Sequence, residues 1–248
     1  MIANLMMYAR PELEGAHARL WALIRARLGR RGIDAPENLA QDADPFTVWR
    51  APDLVLSQTC GMPYRTALHG NVQLVGTPDY ALPECPAGHY RSVIVAHTDS
   101  PADSARDLLG GTVAYNDALS QSGFAALYTH LGGDWFAVSV RSGGHVASAR
   151  MVAERHADIA ALDAQTWRLI RRYEPFARDL RVLEHTAPTP GLPLITAMGQ
   201  DTDAIFDAVE SAIAALAPEY ANLLDLRGLI RIPTAEYLAV QTPPPAVI

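Results

Sequence analysis

Residues 114–127, AYNDALSQSGFAAL, change their hydrophobic period within a few positions. The run Gly111-Thr112-Val113-Ala114-Tyr115 reads as a buried strand. Beyond it, Phe124, Leu127, Tyr128 and Leu131 recur at the i, i+3, i+4, i+7 spacing of a helix. Ser120, Gln121, Ser122 and Gly123 stand at the handover. Two readings follow. Ser120 can cap the helix with its side-chain oxygen. Alternatively, the first helical N–H groups, which lack internal acceptors, can join the serine hydroxyls in holding an anion. Asn116 or Asp117 would shape the turn, and Gly123 would let a ligand approach the backbone. Residue types alone leave both readings open.

Two more junctions have the same chemistry. Ser57-Gln58-Thr59-Cys60-Gly61 follows the apolar strand Leu54-Val55-Leu56. Arg141-Ser142-Gly143-Gly144-His145 lies between a strand and a helix, and His145 can donate to an oxyanion from either ring nitrogen or simply begin the helix. Ligands of α/β proteins sit beyond the carboxyl ends of strands, and all three junctions are such ends.

The rest of the chain alternates in the same way. Strands are expected at residues 2–8, 54–56, 72–75, 90–96, 112–115, 135–140, 158–162, 182–184 and 194–197. Helices are expected at 11–31, 121–131, 145–156 and 164–173, with a mostly helical end from 202 to about 240. This predicts an α/β protein with largely parallel sheets. Two Pro/Gly-rich stretches, 76–88 (GTPDYALPECPAG) and 186–193 (TAPTPGLP), bracket a central block. They are either two ordinary surface loops or the points where the chain leaves one lobe and returns to it.

The chain has 248 residues, 49% of them apolar and 7% aromatic, enough for a full core of Ala, Leu, Val and Ile. A net charge of −7 argues against nucleic acid and anionic membranes as partners. Every basic side chain is Arg, which excludes a Schiff-base lysine and a Walker-type phosphate lysine. No apolar run reaches the ~18 residues of a membrane span. Cys60 and Cys85 are too few for a disulfide framework or a four-cysteine zinc site, and one disulfide or two thiols are both open. The histidines are scattered, without a His-Glu-x-x-His or Cys-x-x-Cys motif, and Ser-Gln-Ser-Gly is not the Gly-x-Ser-x-Gly of a serine hydrolase. No metal or cofactor is expected.

Taken together, the motifs resemble the substrate-binding proteins of ABC importers for phosphonate, phosphite and phosphate. The resemblance is carried by Met7-Tyr8, by VLSQTCG at 55–61 and by LVGTPDY at 74–80. It continues through YRS at 90–92, AYNDALSQSG at 114–123 and SGGHVAS at 142–148. DIAALDAQTW at 158–167 and PGLPLIT at 190–196 complete it. It implies a two-lobed α/β fold of the type II periplasmic-binding-protein kind, with two mixed sheets, flanking helices and a central cleft. Residues 1–80 plus 187–248 would form the first lobe, and 81–186 the second. The ligand would be a small oxyanion and the protein partner an ABC permease, with the chain itself a monomer. Ser120, Gln121 and Ser122 would hold the anion, although many relatives carry Thr at the position of Gln121. Tyr8, Thr59 and Tyr90 would face it from the strand ends, and His145 and Asp163 would close the site.

Asp163 requires a reason, because a carboxylate repels an anion. A protonated phosphorus oxyanion can donate a charge-assisted hydrogen bond to it, whereas sulfate has no such proton near neutral pH. Asp163 can equally cap the helix that follows it. The resemblance implies a periplasmic protein. The chain starts at its first strand without a basic leader, so a cytoplasmic member that senses its ligand stays open. An enzyme on the same fold, of the kind that makes the pyrimidine precursor of thiamine, is the remaining alternative.

Overall fold

The structure is a computed structural model and describes residues 1–244. The strands run β1 (Ile2–Asn4), β2 (Leu54–Gln58), β3 (Val72–Asp79), β4 (His89–Tyr90), β5 (Ser92–His97) and β6 (Thr112–Tyr115). They continue as β7 (Val138–Arg141), β8 (Ile159–Asp163), β9 (Leu180–His185), β10 (Thr189–Pro190), β11 (Leu194–Ala197) and β12 (Gly228–Ile230). The α-helices are α1 (Glu14–Gly29), α2 (Pro45–Trp49), α3 (Gly61–Pro63), α4 (Ala126–His130) and α5 (His145–Ala153). After them come α6 (Ala164–Tyr173), α7 (Thr202–Ala214), α8 (Pro218–Leu223) and α9 (Thr234–Ala239).

The chain forms two compact units. The first comprises Met1–His89 and Pro190–Leu238, and the second Tyr90–Thr189 with residues 239–244. The first unit is built on a sheet of order β1-β2-β11-β3-β12. β1 is parallel to β2, while β11 is antiparallel to both β2 and β3. Its core includes Leu54, Val72, Ile195 and Ala197, packed with Trp49, Tyr64, Leu68 and Tyr237.

The second unit is built on a sheet of order β7-β6-β8-β5-β9. Its inner strands β6, β8 and β5 are largely apolar on both faces, as strands covered on both sides require. Val93, Val95, Ala160 and Leu162 face α5 and α6 residues such as Ala149, Val152 and Ile170. Their neighbours Ile94, Ile159 and Ala161 turn to the other face, against Leu127, Leu131 and Phe136.

Several expectations need correction. The sheets are mixed, as the resemblance implies, and not largely parallel, as the alternation alone predicts: β5 runs antiparallel to both β8 and β9, and β11 to both its neighbours. Parallel neighbours are built by local βαβ crossovers, so the alternation predicts direction only for strands that such a crossover joins. β5 and β11 each begin just after the chain has passed from one unit to the other. Trp135 and Phe136 lie ahead of β7, not in it, and join an aromatic cluster with Phe124 and Tyr128. The mostly helical end also contains a strand that the pattern does not predict, β12, which pairs with β3 at the sheet edge.

The passage between units falls at His89/Tyr90 and Thr189/Pro190, not at 80 and 187. The Asp79 carboxylate accepts from the N–H groups of Ala81 (3.0 Å) and Gly88 (3.2 Å), so residues 81–88 stay with the first unit. Residues 239–244, expected in the first lobe, group with the second unit, and residues 245–248 lie outside the described residues.

Candidate functional site

In the second unit, β6 ends at Tyr115 and the chain turns through Asn116–Ser120. Asp117 shapes that turn: its carboxylate accepts the Leu119 N–H at 2.8 Å and its carbonyl the Ser120 N–H at 3.0 Å. Arg141 forms an ion pair with the same carboxylate. Ser120 is the N-cap, its hydroxyl accepting the Gly123 N–H at 2.9 Å. The helix opens with a π-helical turn, Gln121–Ala125, and continues as α4. Because Ser120 Oγ already serves Gly123, the N–H groups of Gln121 and Ser122 are first-turn donors without an intrahelical acceptor. Ser120, Gln121 and Ser122 are all buried, at 6%, 3% and 3% exposure. Wide helical turns recur at functional sites, and another, Tyr64–Leu68, follows the Ser57–Gly61 junction.

His145 is the first residue of α5, and its Nε2 lies 2.9 Å from Ser122 Oγ. Its Nδ1 is buried and makes no hydrogen bond. Burial lowers the imidazole to about 4, with an attraction to the Ala161 backbone pulling the other way. The ring is therefore neutral at neutral pH. With its proton on Nε2 it donates to Ser122 Oγ and leaves the serine proton for a ligand. Ser142, from the same loop, is a structural residue: its hydroxyl lies 2.6 Å from that of Ser148 and donates to the Tyr115 carbonyl at 3.2 Å.

Asp163 ends β8 and caps α6. Its Oδ1 accepts from the N–H groups of Gln165 (2.8 Å) and Thr166 (2.9 Å), and the residue is 2% exposed. The capping role read from the sequence is therefore present. Asp163 is the register partner of Ser92, and Ser92 Oγ donates to the Ser122 carbonyl at 2.9 Å. Tyr90, also buried, precedes Ser92 in β4. The structure thus gathers Tyr90, Ser120, Gln121, Ser122, His145 and Asp163 at one end of the second sheet.

In the first unit, Tyr8 ends a short 3₁₀ turn after β1, and Thr59 follows β2. Both are buried. The Tyr8 ring meets that of Tyr80 edge-on, with centroids 5.0 Å apart. Thr59 N–H donates to the Pro193 carbonyl at 3.0 Å. Cys60 and Cys85 form no disulfide. Gln58, Tyr80 and Ser92 lie within stretches that the sequence marks, but no role for their side chains could be read there, because their hydrogen-bond partners are distant in sequence.

The acid limb of stability follows from two histidines, His17, which is buried, and His145, which is half-buried with its Nδ1 enclosed. His17 in α1 is also lowered to about 4, by burial alone. Each takes up a proton near 6.5 when unfolded but only near 4 when folded. The unfolded state therefore binds more protons between those values, and stability falls as pH drops from about 6.5 to 4. The slope is at most about 1.4 kcal/mol per pH unit for each histidine. Urea midpoints at pH 7 and 4.5 check this. His17→Leu should flatten the profile, and an unchanged slope would contradict the assignment.

The sequence matches, over residues 56–237, the family described as ABC transporter, phosphonate, periplasmic substrate-binding protein. The chain belongs to this family. It is accordingly a transporter substrate-binding protein, of a family that is periplasmic and serves ABC transporters. Among solved structures, PhnD1 from Prochlorococcus marinus in complex with methylphosphonate is similar at a TM-score of 0.73 and 14% identity, covering 96% of this chain and 94% of that one. A binding protein component of an ABC phosphonate transporter from Pseudomonas aeruginosa gives 0.71 and 17%, covering 96% and 82%. XAC2383 from Xanthomonas citri, bound to ATP, gives 0.70 and 18%, covering 95% and 92%. These likenesses establish the type II binding-protein fold. No curated protein sequence matches significantly. Among the described residues of this binding protein, no helix is long and apolar enough to cross a membrane.

Proposed function

We propose that this binding protein takes up a small phosphorus oxyanion, a phosphonate, phosphite or phosphate, and presents it to an ABC permease. The observation that carries the reading is the buried, uncharged donor group at 120–123. It combines the first-turn N–H groups and Ser122 hydroxyl of one helix with the neutral imidazole of His145 at the start of another, 2.9 Å from Ser122 Oγ. Such donors bind an oxyanion without an opposing cation, because the helix start supplies partial positive charge. Tyr90 and Asp163 lie at the same sheet end and are proposed as further contacts, with Tyr8 and Thr59 contributed by the first unit. PhnD1, a relative in fold, is bound to methylphosphonate, which supports the ligand class.

Asp163 is proposed to accept a hydrogen bond from the O–H of a protonated oxyanion and thereby to disfavour sulfate. Its cap has to be separated from this role. Asp163→Ala removes both and should cost about 1 kcal/mol of stability without any ligand. Asp163→Asn also caps well, so it isolates the charge.

Thermal unfolding against methylphosphonate, phosphite, phosphate and sulfate tests the reading. A ligand at 100 times its Kd stabilises by about 2.7 kcal/mol, or roughly 5–11 °C for a chain of this size. A shift with the phosphorus oxyanions and none with sulfate is expected. Asp163→Asn should narrow that difference. No shift with any of them would overturn the proposal.

A further inference from the structure

Gln58 ends β2 and is 3% exposed. A buried carboxamide has to find partners for its hydrogen-bonding groups. Its Nε2 donates to the Leu192 carbonyl at 3.2 Å and to the Tyr80 hydroxyl oxygen at 3.4 Å. Its own backbone carbonyl accepts the Trp49 indole N–H at 3.1 Å. Three segments far apart in sequence therefore meet at one side chain: the end of β2, the residue after β3 and the residues leading into β11.

Two of the proposed contact residues depend on this junction. Thr59, the next residue, is tied through its N–H to Pro193, the neighbour of Leu192. Tyr80 presents its ring to Tyr8 in an edge-on contact. Position 58 could be filled by an apolar side chain of the same length as far as burial is concerned. The carboxamide adds directional bonds, which fix where Tyr80 and the 192–193 segment stand. We propose that Gln58 is a positioning residue for ligand binding, holding Tyr80, and through it Tyr8, as well as Thr59 in binding geometry without touching the ligand itself. The inference rests on the oxyanion reading above, in which Tyr8 and Thr59 contact the ligand.

Gln58→Met keeps the length and apolar volume and removes both donors. Tyr80→Phe removes only the hydroxyl that Gln58 holds. Calorimetric titration with methylphosphonate and with phosphate, well below the melting temperature, measures Kd for the parent, each single variant and the double variant. Gln58→Met is expected to weaken binding about tenfold, and Tyr80→Phe by a few fold. The double variant should be no weaker than Gln58→Met alone, because both changes act on one contact. A purely structural role would lower the melting temperature and leave Kd unchanged, since nearly all molecules stay folded at the titration temperature. A Kd within twofold of the parent in Gln58→Met, or losses in the two single variants that simply multiply in the double one, overturns the inference. A parent that binds neither anion overturns the oxyanion reading instead, and this inference falls with it.

Discussion

Gly191→Ala is expected to lower stability by roughly 3 kcal/mol, which corresponds to a melting temperature about 6–12 °C below the parent. An added Cβ would stand 2.6 Å from the Gly88 carbonyl oxygen and 3.1 Å from Thr77 Cγ2. The first of these is backbone and cannot swing aside. The Gly191 N–H donates to that same Gly88 oxygen at 2.9 Å, so moving it away breaks a bond to the displaced chain. Gly191 is held on its other side as well. Its carbonyl accepts from the Tyr237 hydroxyl at 3.0 Å, and that hydroxyl oxygen lies 2.6 Å from Thr77 Oγ1. Tyr237 is 1% exposed, and burial pushes its phenol well above the usual range, so it stays a neutral donor. Gly88 has no slack either, with φ +71° and Ile230 Cβ 2.9 Å from where its own Cβ would be. Gly15→Ala is the control. It lies in α1 with nothing within 4 Å of an added Cβ, and should stabilise by up to about 1 kcal/mol. Thermal melts of the two variants beside the parent decide the matter. A Gly191→Ala melt that overlays the parent would show that the junction yields at little cost.

The second large effect is on binding. Gly123→Ala is expected to weaken methylphosphonate binding by about a hundredfold or more, equivalent to about 2.7 kcal/mol. The added Cβ would lie 1.9 Å from Asn116 Oδ1 and 3.1 Å from His145 Cε1. Asn116 Oδ1 is buried and makes no hydrogen bond, so the clash falls on an enclosed atom. The imidazole is tied to Ser122 through Nε2. Making room therefore moves both side chains and spoils the Ser122–His145 geometry on which the proposed donor group depends. The cost in stability should be smaller, about 1–3 kcal/mol, since the displaced atoms are side chains. Calorimetry of Gly123→Ala, and of Gly123→Ala with Asn116→Ala to clear the space, separates crowding from other causes. The double variant should recover part of the lost affinity. If Gly123→Ala binds as the parent does, in a solution where the parent responds to methylphosphonate, the anion is held elsewhere.

Much of the second unit was legible from hydrophobic period and cap chemistry. The helix at 164–173 has the bounds read from its pattern, and the Asp163 cap was one of the two roles weighed for it. The Ser120 cap is likewise present, and burial adds what residue type left open, namely that Gln121 and Ser122 are enclosed with it. Asp117, one of two candidates for shaping the turn, is the residue that does so. Trp135 and Phe136 misled because alternating aromatic and apolar residues suit a strand and an aromatic cluster equally well. β12 was missed because three residues carry too short a pattern to be distinguished from the helices around them.

The sequence alone determined the α/β alternation, the glycine and proline breaks, the exclusively arginine basic set and the strand ends that carry small hydroxyl residues. All of these depend on composition or on contacts within a few positions, where the 3.6 and 2.0 residue periods and the capping bonds act. The tertiary structure alone decided which buried polar atoms meet. Ser122 finds His145 across 23 positions, and Gln58 finds Leu192 across 134. It also decided that β5 and β11 run against their neighbours. A hydrogen bond between distant residues leaves no periodic trace in either segment, because its geometry is set by the packing of the elements that carry the two partners.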